Sequence, residues 1–121
     1  STSIYFLLEG SQISKFHSLK SDELWHFYDG DAVKIYVIDE QGKLTEIVLG
    51  KGTDNGQVFQ TVINKKQWFA AEVINKRSFA LIGCTVSPGF DFTDFELAKR
   101  EYLLKSFPQH KTLISKFTKA G

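Results

Sequence analysis

Apolar and polar residues alternate over most of this chain, which is the two-residue period of a β-strand. In the segment 32–38, for example, Val33, Ile35 and Val37 fall on one face. Short groups of Gly, Asn and Asp interrupt the alternation at close intervals, as turns do. Strands are therefore predicted at Ser3–Leu8, Ile13–Leu19, Leu24–Tyr28, Ala32–Ile38, Leu44–Leu49, Val58–Ile63, Trp68–Val73 and Phe79–Val86.

Short strands at this spacing favour a β-sandwich or a β-barrel. No helical segment of about 10–15 residues intervenes to connect parallel strands. Asp39–Lys43, which contains Gly42, predicts a hairpin turn, and the three glycines in 50–56 predict a loop. The predicted fold class is all-β.

The pattern changes after Pro88-Gly89. Thr93 and Glu96 have the spacing of a capping box, in which the two side chains satisfy the first free amides of a helix. We therefore predict a helix from Asp94 to about Ser106, followed by Pro108 and a second short helix. The apolar residues of that second helix share one face: Leu113, Ile114 and Phe117.

Composition narrows the class of protein. A chain of 121 residues supports one core, so we expect a single domain, with the barrel at about 1–87 and the helical tail at 93–119. Eleven Phe and no Met favour a β-rich core. The net charge of +1 includes no basic stripe of the kind that binds nucleic acid. No apolar run approaches the roughly 18 residues of a membrane span, and the single Cys84 fits a reducing, cytoplasmic location.

The most informative segment runs from Gly10 to Gly30. It reads Gly10, six residues, His17, one residue, Leu19, three residues, Glu23, six residues and Gly30. This spacing resembles the first signature motif of the cupin superfamily, Gly-x5-His-x-His-x3,4-Glu-x6-Gly, with one extra residue before the histidine. In cupins the two histidines and the glutamate point into a small barrel and hold a metal. Here Leu19 stands in place of the second histidine.

The second cupin motif, roughly Pro-x-Gly-x-x-His-x3-Asn, aligns with this chain so that Phe69 falls at its histidine. Leu19 and Phe69 thus place apolar side chains at two of the four ligand positions. His17 and Glu23 alone are too few ligands for a tightly held metal. We therefore predict a metal-free pocket without a cofactor; weak metal binding by His17 and Glu23 is the alternative.

Alternation also predicts which side chains near Glu23 lie on the same face of the strand as Glu23. If Glu23 points into the barrel, Trp25 and Phe27 do so too, whereas His26 and Tyr28 face the other side unless a β-bulge follows Glu23. His17 and Glu23 themselves are either pocket groups or an ordinary strand histidine and a surface glutamate. The residues that we expect to contact a ligand are Glu23, Trp25, His26, Phe27, Gln67, Phe69 and Cys84.

Further segments resemble one particular cupin family, of cupin-5 type, long known only as a domain of unknown function. They are Pro88-Gly89-Phe90-Asp91-Phe92, Thr2–Leu8 and Asp22–Tyr28, and the resemblance covers essentially all 121 residues. Members usually begin with a helix and a strand containing a His-Pro-Glu-Gly-Gly stretch, and this chain starts just after that point. The resemblance implies a double-stranded β-helix, or jelly roll, that forms a homodimer and is similar in fold to dTDP-sugar epimerases.

Those epimerases use a barrel histidine as base and a tyrosine as acid. The resemblance therefore makes His17 the candidate base, while Tyr5, Tyr28 and Tyr36 remain open as the acid, with Tyr28 as our candidate. Two hypotheses follow: a metal-independent isomerase or epimerase, and a non-catalytic protein that binds a polar small molecule such as a sugar or a nucleotide. We favour the binding protein and expect a homodimer with Ser3–Leu8 near the interface.

Overall fold

A computed structural model describes residues 2–87 and 95–119. Nine strands precede a short helical tail in this part of the chain. The strands are β1 (Thr2–Glu9), β2 (Ile13–Leu19), β3 (Asp22–Gly30), β4 (Val33–Ile38), β5 (Leu44–Leu49), β6 (Gln60–Ile63), β7 (Trp68–Val73), β8 (Phe79–Ser87) and β9 (Phe95–Leu97). The helices are α1 (Arg100–Ser106) and α2 (Lys111–Lys116), with 3₁₀ turns at Thr53–Asn55 and Pro108–His110. Neither helix is long and apolar enough to cross a membrane.

The strands form two antiparallel sheets. The first sheet has the order β1-β8-β3-β6, and the second has the order β5-β4-β7-β2-β9. Except for β4 and β5, neighbouring strands in these sheets are not consecutive in sequence, as a jelly-roll barrel requires. The all-β fold class predicted from the sequence is therefore confirmed.

Most predicted strands match the structure within one or two residues. The segment predicted at 58–63 begins later, at Gln60, because Val58 pairs with Leu49 in an isolated bridge instead of joining β3. Alternation along β3 is as expected: Glu23, Trp25 and Phe27 are buried, whereas Tyr28 is exposed.

The helix predicted from Asp94 is wrong over its first turns. Phe95–Leu97 is a strand that pairs with His17–Leu19 of β2, and the helix begins only at Arg100. Thr93, the first residue of the predicted capping box, and Asp94, the first residue of the predicted helix, lie outside the described residues. The open edge of β2 supplies backbone partners to the segment, so tertiary pairing overrides the local helix signal.

A main core fills the space between the two sheets. Its buried members include Leu8, Trp25, Phe27, Val33, Ile35, Phe69, Val73 and Ile82. These residues come from both sheets, in the alternating positions that the sequence pattern indicates. A cavity with several polar side chains opens at one end of this interior.

A second cluster lies between the outer face of the second sheet and the helical tail. It contains Phe16, Tyr36, Ile38, Ala70, Ala98, Leu103, Ile114 and Phe117. The prediction of one apolar face is confirmed, because Ile114 and Phe117 are fully buried and Leu113 packs against the same cluster. Both faces of the second sheet are therefore covered.

Two glycines of the Gly10–Gly30 segment are required by close approach of the backbone. A Cβ atom on Gly10 would lie 2.5 Å from the carbonyl of Lys76, and one on Gly30 would collide with the carbonyl oxygen of Phe79. Gly30 also has φ +93°, a conformation that other residues rarely adopt. Backbone packing therefore requires glycine at both positions. Any role in binding or catalysis belongs to the residues between them.

Candidate ligand-binding cavity

A cavity of about 310 Å³ opens at one end of the barrel interior. Residues of β1, β2, β3, β8 and β9 line it. Its polar side chains are Ser14, Lys15, His17 and Glu23, and the rest of the lining is apolar apart from the Cys84 thiol. A mostly apolar cavity with a few convergent polar groups is the usual form of a small-molecule site.

A β-bulge in β2 determines how His17 reaches this cavity. The pairing of β2 with β7 shifts register between Ser14 and His17. In a regular strand these two residues would point to opposite faces, yet both line the cavity. Phe16 points the other way and is fully buried in the second cluster. The extra residue therefore aims His17 inward while Phe16 anchors the strand from outside.

The His17 ring is held between two phenylalanines. Its centroid lies 4.1 Å from that of Phe69 and 5.2 Å from that of Phe95, with which it stacks. Its Nδ1 lies 2.7 Å from the backbone oxygen of Lys15. Because a carbonyl oxygen can only accept, Nδ1 carries the proton in the neutral ring.

His17 is consequently a hydrogen-bond acceptor on its other side. Burial lowers the pKa of His17, although the bond to Lys15 partly opposes this, so the neutral ring is favoured. No enclosed side-chain nitrogen or oxygen of the described residues lacks a partner. No described residue hydrogen-bonds Nε2, and the ring lines the cavity. A neutral imidazole with a free Nε2 can bind a donor or take up a proton.

Glu23 is the second polar group inside the cavity. Its side chain is only 8% exposed, and Oε1 accepts a 2.5 Å hydrogen bond from Nε1 of Trp25. No cationic side chain of the described residues forms an ion pair with it. Burial therefore raises the pKa of Glu23, and the indole bond only partly offsets this. The other oxygen, Oε2, has no hydrogen bond to a described residue.

The donor set does not fit the metal that cupins hold. Leu19 lines the cavity at one expected ligand position, and Phe69 lies behind His17 at another. The described residues contain no group of three or more His, Cys, Asp or Glu side chains arranged around a common point. Two donors are too few for a structural or catalytic zinc.

The structure brings four of the predicted site residues together. His17, Glu23, Trp25 and Cys84 line the one cavity. Burial, and then the charge of Glu23, raise the pKa of the Cys84 thiol, which makes it a poor nucleophile.

The other predicted site residues lie elsewhere. Phe27 and Phe69 belong to the core behind the cavity, and Gln67 is half-buried in the turn before β7. His26 and Tyr28 lie on the outer face of the first sheet, where their rings stack 6.2 Å apart. Tyr28 is therefore not brought to His17.

None of the chain's four tyrosines lines the cavity. Tyr5 is on the outer face with Tyr28, at 5.6 Å between ring centroids. Tyr36 donates a hydrogen bond to Glu72 under the tail. The acid and base pair that the resemblance implied, histidine and tyrosine, is not assembled here.

Sequence reasoning missed several of the lining residues. Ser14 and Lys15 face the cavity because of the bulge, for which the sequence carries no signal. Phe95 and Leu97 line it from β9, in the segment that had been predicted as helix. Alternation in a strand at 95–97 would have placed both on one face.

The jelly roll, with its cavity at the position of the Gly10–Gly30 segment, defines a cupin. Residues 1–98 match the family described as Cupin superfamily (DUF985). The chain belongs to this family. No curated protein sequence matches it.

Solved structures extend the comparison. A protein from Shewanella oneidensis is 42% identical, with a TM-score of 0.93 over 98% of this chain and 75% of that one. A hypothetical protein from Leishmania major is 28% identical, with a TM-score of 0.91 over 98% and 76%. A dTDP sugar isomerase from Desulfovibrio desulfuricans is 12% identical, with a TM-score of 0.70 over 81% and 64%, which is a likeness of fold alone.

Proposed function

We propose that this protein binds a small organic molecule in the cavity without the help of a metal. The observation that carries the proposal is that His17 and Glu23 line one mostly apolar cavity, and that no described residue hydrogen-bonds Nε2 of His17 or Oε2 of Glu23. A ligand that donates hydrogen bonds to these acceptors is oriented by them, while the apolar walls bury the rest of its surface. The polar part of the predicted ligand would lie beside His17 and Glu23. The remaining walls favour an apolar part elsewhere in the same ligand.

Replacing His17 with asparagine is expected to weaken ligand binding while leaving the melting temperature within a few degrees. The ring borders an open cavity, so its loss creates little new void, whereas asparagine cannot present an acceptor at the position of Nε2. Native mass spectrometry of the purified protein identifies co-purified molecules, and titration of the match into both forms measures the effect.

His26→Asn is the matched control, because that ring lies on the outer face of the barrel. If His17→Asn instead unfolds the protein and the folded fraction binds as before, His17 is a core residue. That result would remove the support for a site at this cavity.

A second candidate function is that of an isomerase in which His17 is the general base. The fixed Nδ1–H tautomer favours this, because it leaves Nε2 unprotonated toward the cavity. With no tyrosine in the lining, Glu23 would have to be the acid, and its raised pKa suits that role. The likeness to sugar isomerases adds support only at the level of fold.

We also propose that the protein forms a symmetric homodimer through β1. This strand is at the edge of the first sheet, and it exposes Ile4, Tyr5 and Leu7 by 53%, 79% and 55%. Exposed apolar side chains on a sheet edge favour association. Light scattering at tens of micromolar is expected to give the mass of two chains.

The double variant Tyr5→Asp and Leu7→Asp is expected to give a monomer. Val62→Asp, at the opposite edge of the same sheet and equally exposed, is the matched control and should leave the dimer intact. A wild-type protein that is monomeric at these concentrations would contradict the proposal.

A further inference from the structure

Two of the four polar side chains that line the cavity, His17 and Glu23, present hydrogen-bond acceptors, whereas Ser14 and Lys15 can donate. Nε2 of His17 is an acceptor because its Nδ1 proton is engaged by Lys15. Oε2 of Glu23 is an acceptor in the carboxylate form, and Oε1 already receives the Trp25 indole. The complement of two acceptors that line one cavity is a head group with several donors and no acceptor, and an ammonium group has three donors.

The charges that line the cavity also favour a cationic ligand. Glu23 is buried and no cationic side chain of the described residues pairs with it, so its charge is uncompensated. Burial raises its pKa, and a cation bound beside it would favour the carboxylate form. Opposite charges attract more strongly in a low-dielectric interior than at the surface.

Among the described residues that line the cavity, Lys15 is the one cationic side chain. Its positive charge would repel a bound cation, whereas the charge of Glu23 would attract it. Its side chain is exposed, so water and salt screen its charge. Glu23 lies deeper, so its attraction outweighs the repulsion from Lys15.

The walls determine the rest of the ligand. Phe6, Trp25 and Phe95 contribute aromatic rings to the lining, and Ile4 and Leu97 contribute aliphatic surface. Aromatic faces attract cations and also bury apolar groups. A ligand that fills this cavity therefore has an apolar body next to its charged end.

We propose that the cavity binds a primary amine with an apolar, aromatic or branched aliphatic, body, its ammonium group lying between Glu23 and Nε2 of His17. This inference rests on the proposed binding function and specifies its ligand class. The amine donates to both acceptors and supplies the counter-charge that Glu23 lacks.

Three probes with the same phenyl body test the head group: phenethylamine, phenethyl alcohol and hydrocinnamate. The chain has two tryptophans, and Trp68 lies outside the cavity in the second cluster. A Trp68→Phe background therefore makes the fluorescence of Trp25 report on the cavity alone. We expect phenethylamine to bind at least about tenfold more tightly than the alcohol, and hydrocinnamate to bind most weakly.

The variant Glu23→Gln keeps the shape and removes the charge. It is expected to abolish the preference for the amine while changing the affinity for the alcohol by less than about threefold. Glu46→Gln, an exposed carboxylate that pairs with Lys34 outside the cavity, is the matched control and should leave all three affinities unchanged. Lys15→Gln should strengthen amine binding slightly and weaken hydrocinnamate binding.

The outcomes separate this inference from the proposed function. If the alcohol binds as well as the amine, or hydrocinnamate binds best and depends on Lys15, the ligand class is wrong while the cavity remains a binding site. If the amine fails to bind at about 1 mM, the ligand class is likewise wrong. The proposed function then stands or falls on the His17→Asn comparison with the co-purified molecule. A preference for the amine that survives Glu23→Gln would overturn the assigned role of Glu23.

Discussion

Replacing Phe117 with alanine is expected to lower the free energy of unfolding by about 3–5 kcal/mol, the usual cost of deleting a fully buried phenylalanine. Phe117 is 0% exposed and contacts the rings of Phe16 and Tyr36, at 6.0 and 5.1 Å between centroids. The tail is too short to repack around the resulting void. Denaturant unfolding monitored by tryptophan fluorescence measures the loss.

This substitution should also affect the cavity. The backbone amide of Phe16 donates to the carbonyl of Phe117, and the amide of Ala98 donates to the carbonyl of Phe16. The tail and β9 thus hold the bulged part of β2 from outside, next to His17. We therefore expect Phe117→Ala to weaken ligand binding even where the protein is still folded.

Phe117→Leu is the matched variant, since it keeps most of the apolar volume and should cost less than half as much. Val62→Ala, at a half-exposed position of β6, should cost under about 0.5 kcal/mol. A Phe117→Ala protein with unchanged stability would show that the tail is not part of the cooperative unit.

The strands were predictable because the two-residue alternation in this chain is directly related to burial. The inward series Glu23, Trp25 and Phe27 matches the structure for this reason. The segment 44–49 forms a strand by pairing with β4, although its burial does not alternate. The strand at Phe95–Leu97 was not predictable, because its stability comes from pairing with β2 and the local sequence indicates a helix. Long-range pairing of this kind has no local signal.

From the sequence, residues of the candidate site could be predicted only within the segment that the motif spacing covers. His17, Glu23 and Trp25 share the cavity as expected, because one strand alternates regularly and the bulge in the other happens to keep His17 inward. Tyr28 is on the outer face, with its ring over Gly83, where alternation from Glu23 predicts it, so the resemblance alone made it the candidate acid. Bulges and the sharing of a cavity by five strands depend on the assembled barrel, so Lys15 and Phe95 emerged only from the structure.

Glu72 is the centre of the largest cluster of charged hydrogen bonds in the described chain. It is 5% exposed and accepts from Tyr36 at 2.7 Å, from Lys116 at 3.0 Å and from Lys76. Burial alone would raise the pKa of Glu72, but these three donors outweigh it and lower the pKa to about 2. The cluster joins β4 and β7 to the end of the helical tail.

We expect Glu72→Gln to lower the free energy of unfolding near neutral pH by about 2–3 kcal/mol, somewhat less than the full pKa difference implies because both lysines are half-exposed. A carboxylate whose pKa is depressed by folding stabilises the protein above its unfolded pKa, and this contribution disappears as the pH falls through the folded pKa. The difference between wild type and variant should therefore be constant above about pH 4.5 and shrink toward zero near pH 2. Urea unfolding of both proteins across this range measures it, and Glu46→Gln, whose carboxylate is half-exposed, is the control that should show less than about 0.5 kcal/mol at any pH. A difference that stays the same down to pH 2 would mean that glutamine fails for reasons of packing, and that the charge of Glu72 contributes nothing to holding the tail on the barrel.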